Sequence, residues 1–119
     1  MRYLLAIYMN SANQANQTED EAKAMHGAWF AYTDELQRAG KMLAGEALLP
    51  AATASSVRLA EGGTPLLSDG PFAETKEQLG GYYVVEAADR DEAAAWAAKM
   101  PHLPHGGGVE VRPIMEFDA

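Results

Sequence analysis

The 119-residue sequence contains no cysteine, which excludes disulfides, a thiol nucleophile and thiolate metal sites. It also lacks any cluster of lysine or arginine: nine basic residues face seventeen acidic ones, for a formal net charge of −8. Nucleic acid and anionic membrane surfaces both require a positive face, so neither is an expected partner. Long apolar runs are missing as well. The N-terminal stretch Tyr3 to Met9 is far shorter than the roughly 20 residues a membrane helix needs, and no small-residue cleavage site follows it. The expected location is therefore the cytoplasm. There is no Gly-x-Ser-x-Gly elbow. Gly106-Gly107-Gly108 follows no strand and opens no helix, so it is not a phosphate loop, and no cofactor is expected.

What remains has globular proportions, with 48% hydrophobic and 22% charged residues. The length suits one domain spanning residues 1–119, and a chain of this size buries roughly two-thirds of its unfolded surface. Arg2 to Met9 reads as a strand apolar on both faces, Tyr3, Leu5, Ile7 and Met9 on one and Leu4, Ala6 and Tyr8 on the other. Asn10 to Gln17 reads as a polar loop. Thr18 with Glu21 three residues on forms a capping box. From there Ala22, Met25, Trp29, Tyr32, Leu36 and Ala39 make one apolar stripe, and Gly40 ends the helix.

Met42 to Leu49 is a second strand. Ser56 to Ala60 and Thr64 to Ser68 are the arms of a hairpin around Glu61-Gly62-Gly63, and Pro65 marks an edge. Gly80 to Ala88 is again apolar on both faces. Asp89 and Glu92 cap a second helix that runs to Met100, stopped by Pro101, and Val109 to Phe117 is the last strand. The pattern is a split βαβ with an inserted hairpin: an α+β, ferredoxin-like domain. Helices cover one face of such a sheet. The apolar character of the other face predicts a second subunit's sheet against it, hence a homodimer.

Asp69 to Gly81 concentrates the features hardest to explain as packing. Asp69-Gly70-Pro71 is turn chemistry, Pro71 suits the first turn of a short helix, and Phe72 is placed to pin that turn to a core. Asp69 is a candidate base, and Glu74, Lys76 and Tyr82 are candidate ligand-binding residues, Lys76 for an anionic group. The structural alternative has Asp69 accepting turn N–H groups, Glu74 paired with Lys76, and the tyrosine in a core or dimer interface. His26, beside the stripe of the first helix, is the second catalytic candidate; the alternative is an ordinary boundary histidine. His102 and His105 are three apart, but Leu103-Pro104 between them offers no helix to fix their angle, and no metal is expected.

The run Asp69-Gly70-Pro71-Phe72-Ala73-Glu74-Thr75-Lys76-Glu77, followed by Gly80-Gly81-Tyr82-Tyr83, resembles the signature of the DGPF-motif branch of the YCII-related family. Arg2-Tyr3, Ala39-Gly40, Gly45-Glu46-Ala47-Leu48, Ala95-Trp96-Ala97-Ala98 and Val109 to Pro113 extend the resemblance over nearly the whole chain. It implies a ferredoxin-like subunit pairing as a dimeric α/β barrel, and an association with extracytoplasmic-function sigma factors. The wider family resembles enzymes that pair a His on the first helix with an Asp before a Pro. This sequence has Trp29 or Phe30 and Met100 there, so the dyad is missing and the Asp69 corner is the expected replacement. Two functions follow as expectations: a protein binding or transforming a small polar metabolite near Asp69, or a non-catalytic interaction module.

Overall fold

The first strand, β1 (Arg2–Asn10), lies in the middle of the sheet, as its two apolar faces require. It pairs antiparallel with β5 (Glu77–Glu86) on one side and β6 (Gly108–Pro113) on the other, and β2 (Met42–Ala47) flanks β5. The order β2-β5-β1-β6 is that of a ferredoxin-like α+β fold. The computed structural model describes residues 1–117. A separate two-stranded sheet, β3 (Ser55–Leu59) with β4 (Pro65–Asp69), is the inserted hairpin.

Helix α2 (Glu19–Arg38) begins at Thr18, whose Oγ1 accepts from the Glu21 N–H at 3.1 Å while the Glu21 carboxylate accepts from the Thr18 N–H at 3.2 Å. The hydrogen bonds from Thr18 hold the Glu21 carboxyl below its usual pKa. Helix α3 (Arg90–Ala98) is capped by Asp89, which accepts from the Glu92 N–H at 2.9 Å. Both helices cover the sheet face carrying Tyr3, Leu5, Ile7, Tyr83 and Val85. The core there also takes in Tyr32, Leu36, Ala93, Ala97 and Met100. Leu4, Ala6 and Tyr8, opposite Val84, Tyr82 and Leu79, lie on the other face.

Five expectations are corrected. The stretch after β1 is not loop throughout: Ser11–Ala15 form a short helix, α1, because the Asn10 side chain accepts from the Asn13 N–H at 3.0 Å. Pro71 starts no helix. Gly70 has a φ of +97°, and the carbonyls of Ala73 and Thr75 accept from the Gln78 side chain at 3.1 and 2.9 Å, so they are satisfied without a helical turn. Strand β5 takes up residues from Glu77 onward, three earlier than expected, by means of a bulge opposite Ile7 and Tyr8. Phe72 is pinned to no core: it is 66% exposed, with the Arg58 guanidinium 4.5 Å above its ring. The last strand also stops early, at Pro113, followed by one further backbone bond from the Ile114 N–H to the Arg2 carbonyl at 2.9 Å.

Candidate functional site

Only the C-terminal half of α2 is buried, at Tyr32 and Leu36. Its N-terminal half stands off the sheet and roofs a cavity of about 500 Å³. The floor is the end of the sheet, with Ile7 and Met9 of β1, Met42 and Gly45 of β2, and Gly80, Gly81 and Tyr83 of β5. The glycines keep it open and flat. A Cβ on Gly45 would lie 2.7 Å from the Tyr83 ring, one on Gly80 2.9 Å from the Met9 sulfur, and one on Gly81 2.8 Å from the Glu46 carbonyl. Met25, His26, Trp29, Phe30 and Thr33 line the roof, α1 supplies Asn13 and Gln14 at one side, and His102 and His105 close another.

The aromatic wall is held from several directions. The Trp29 ring stacks on His102, centroids 5.5 Å apart, and on Tyr83 at 6.4 Å, and it meets the edge of Tyr32 at 5.9 Å. The Tyr83 hydroxyl is 2.6 Å from Thr33 Oγ1. Tyr32 donates to the Trp96 carbonyl at 2.9 Å, and burial raises its phenol pKa well above the usual value. His102 is buried, and its Nε2–H donates to the Gly108 carbonyl at 3.0 Å. Burial lowers the pKa of this ring, against the opposing pull of that carbonyl and of the Tyr8 backbone, so the neutral tautomer is favoured. Among the described residues its Nδ1 has no hydrogen-bond partner.

The segment behind His102 is fixed by backbone geometry. Gly107 has a φ of +89°, and a Cβ there would sit 2.2 Å from the Tyr8 carbonyl oxygen, so only glycine lets β6 approach β1 at this point. Asn13 donates from its side chain to the His105 carbonyl, tying α1 to the same segment.

Of the catalytic and ligand-binding candidates Asp69, His26, Glu74, Lys76 and Tyr82, His26 alone lines this cavity. It is exposed at the mouth and stacks on Phe30, centroids 5.6 Å apart. Asp69 ends β4 opposite Ser55, exposed, and among the described residues its carboxylate accepts no hydrogen bond. Glu74 and Lys76 are exposed and form no ion pair with each other among the described residues. The Lys76 carbonyl accepts from the Ser11 N–H at 2.9 Å, anchoring that segment to α1. Tyr82 pairs with Ala6 and Glu46 on the sheet face away from the helices. The structure therefore does not bring Asp69, Glu74, Lys76 and Tyr82 together with His26.

Trp29, Tyr83 and His102 were missed as a group. Trp29 and Tyr83 sat on stripes that read as core, and His102 lay in a Pro- and Gly-rich segment without period. The signal available was Trp29 standing where the family resemblance placed an imidazole, with His102 just past Pro101.

The wall carries a definite charge character. Among the described residues that line the cavity there is no Lys or Arg, and Glu46, paired with Tyr82, has its side chain on the opposite sheet face; three imidazoles and the amides of Asn10, Asn13, Gln14 and Gln17 remain. No helix is long and apolar enough to cross a membrane among the described residues.

Comparison with known proteins accounts for the fold. The model of the YCII-related domain matches residues 1–118, and the chain belongs to this family. It is 33% identical over 115 residues to an uncharacterized protein of Rhizobium meliloti (strain 1021), covering 96% of this chain and 92% of that relative.

Proposed function

We propose that this YCII-related chain binds a small uncharged molecule with an aromatic or apolar body in the cavity beneath α2, with His26 at the mouth as its proton donor or acceptor. The observation that carries this reading is the composition of the wall. Trp29, Phe30, Tyr83 and the thioethers of Met9, Met25 and Met42 offer polarizable apolar surface, and side-chain amides offer convergent hydrogen bonds. A phosphorylated or dicarboxylate ligand would enter with no cation to meet it. A cavity of about 500 Å³ lies within the usual range for small-molecule sites. This proposal places the ligand at the roof of the sheet rather than at the Asp69 corner.

The active form is proposed to be a homodimer, two sheets meeting through the faces that carry Leu4, Ala6, Tyr8, Tyr82 and Val84. A second function, a non-catalytic interaction module, is favoured by a different observation: the exposed apolar residues of the β3–β4 hairpin. Its expected partner class, by the family resemblance, is a sigma factor.

Trp29 makes the first proposal measurable. With Trp96→Phe removing the other indole, the fluorescence of Trp29 reports on the cavity. Neutral aromatic fragments of the phenol and indole class should change it saturably, while phosphorylated aliphatic fragments should not. Ala22→Phe, which fills the cavity from α2, should abolish the effect. Failure of every neutral aromatic fragment to bind, or binding untouched by Ala22→Phe, contradicts the proposal.

A further inference from the structure

The β3–β4 hairpin is amphipathic. Val57 pairs with Leu67 and Leu59 with Pro65, and these four side chains share one face. That face is bare: Val57 is 57% exposed, Leu59 70% and Leu67 74%. The opposite face is tied down by its own chain. Ser56 is buried and donates to the Gly70 carbonyl at 2.6 Å, and Arg58 lies over Phe72. The Gly70 N–H donates in turn to the Ala54 carbonyl at 2.7 Å. The Asp69–Phe72 corner thus holds the face that carries Ser56, Arg58, Ser68 and Leu66, and among the described residues leaves the Val57 face without a contact from its own chain. A lone two-stranded hairpin is marginal in water, so a bare apolar face on one calls for a cover.

The size of the missing cover can be bounded. A compact chain of 12.8 kDa exposes about 6300 Å², whereas this one exposes 8335 Å². The radius of gyration is 16.4 Å, against about 13.5 Å for a compact domain of this length. The surplus, about 2000 Å², lies within the roughly 1000–2500 Å² that each subunit of a permanent homodimer buries. The bare sheet face carries Arg2 and Arg112 with Glu46, Glu86 and Glu110, so acid outnumbers base there as over the whole chain, and Arg2 and Arg112 are paired within the chain with Glu116 and Glu110. The hairpin leaves from the end of β2 and returns to the start of β5, the end of the sheet where Tyr8 and Leu79 face the same bare side.

We infer that the β3–β4 hairpin is an arm that clasps a second copy of this chain, laying the Val57, Leu59, Pro65 and Leu67 face on its partner. This goes beyond pairing of the two sheets, and the two contacts separate experimentally. The double variant Val57→Asp/Leu67→Asp alters side chains that are solvated in the single chain, so circular dichroism should be unchanged. Light scattering across the micromolar range should show a wild-type dimer and, for the variant, a dissociation constant raised at least 100-fold. Ser68→Asp, on the clamped face, should leave the dimer intact.

Hydrogen exchange gives a second readout independent of any variant: amides of 55–69 should exchange more slowly in the wild-type dimer than after dilution to monomer. A double variant that dimerises as tightly as wild type, while Tyr82→Arg does not, overturns the arm and leaves the sheet contact standing. A wild type that is monomeric at every concentration overturns both, and capture of a different protein by the bare face would then assign the hairpin to that partner. Hairpin amides unprotected in the dimer also overturn it.

Discussion

At the scale of single residues, His102 carries the clearest consequence. Its ring is neutral because burial lowers its pKa from an ordinary value of about 6.5. The unfolded chain therefore takes up a proton that the folded chain resists. Stability is full above about pH 6.5 and falls as pH drops through that value toward the lower folded pKa. Thermal melts from pH 7.5 to 5 should show this fall in wild type and a flatter profile in His102→Gln, which keeps an N–H donor for Gly108 but cannot titrate. Parallel profiles would contradict it. The carboxyls of Glu21, Glu92 and Glu116 are all held low by hydrogen bonds, and their stabilisation disappears only as pH falls below about 4.5, a separate window. Asp69 makes the opposite case. With no hydrogen bond accepted by its carboxylate among the described residues, Asp69→Asn should melt within about 0.5 kcal/mol of wild type. It should also bind neutral aromatic fragments with unchanged affinity, as the Trp29 fluorescence titration would show.

At the scale of elements, α2 divides into a half that folds the protein and a half that shapes the cavity. Leu36, fully buried, should cost about 2–5 kcal/mol when cut to alanine, measured by denaturant melts. Thr18→Ala, removing the cap at the other end, should cost about 1 kcal/mol. The same contrast explains what the sequence disclosed. Caps and stripes are local, so Thr18 with Glu21, Asp89 with Glu92, and the two doubly apolar strands could be read from spacing alone, and they fixed the fold class. The stripe of α2 was also legible, but not that its first half lifts away from the sheet, because that depends on α1 and on the glycines of β2 and β5 beneath it. The bulge between β1 and β5 was hidden for a similar reason. A one-residue slip in pairing leaves no periodic trace in a strand containing Gly80-Gly81, so Glu77 to Leu79 read as part of a corner when they belong to the strand. His102 reaches the cavity only through the close approach of Gly107 to Tyr8, a contact between residues about a hundred positions apart.

At the scale of the whole molecule, the chain is a plate of 49 × 47 × 18 Å with a cavity on its helix side and a bare apolar surface on the other side and along the hairpin. Folding and pairing should therefore be linked, and the wild-type melting temperature should rise with protein concentration, as mass action demands of a dimer. A melting temperature independent of concentration over two decades would separate folding from association. The cavity on the helix side is lined by α1, α2 and the ends of β1, β2 and β5, with His102 and His105. The function proposed for it is tested most directly by backbone amide shifts in an NMR titration with neutral aromatic fragments. The shifts should cluster at Met9, Asn13, Met25, Gly80, Gly81 and His102, around the cavity. Shifts confined to residues 69–77, or a spectrum unmoved at millimolar fragment, would contradict the account.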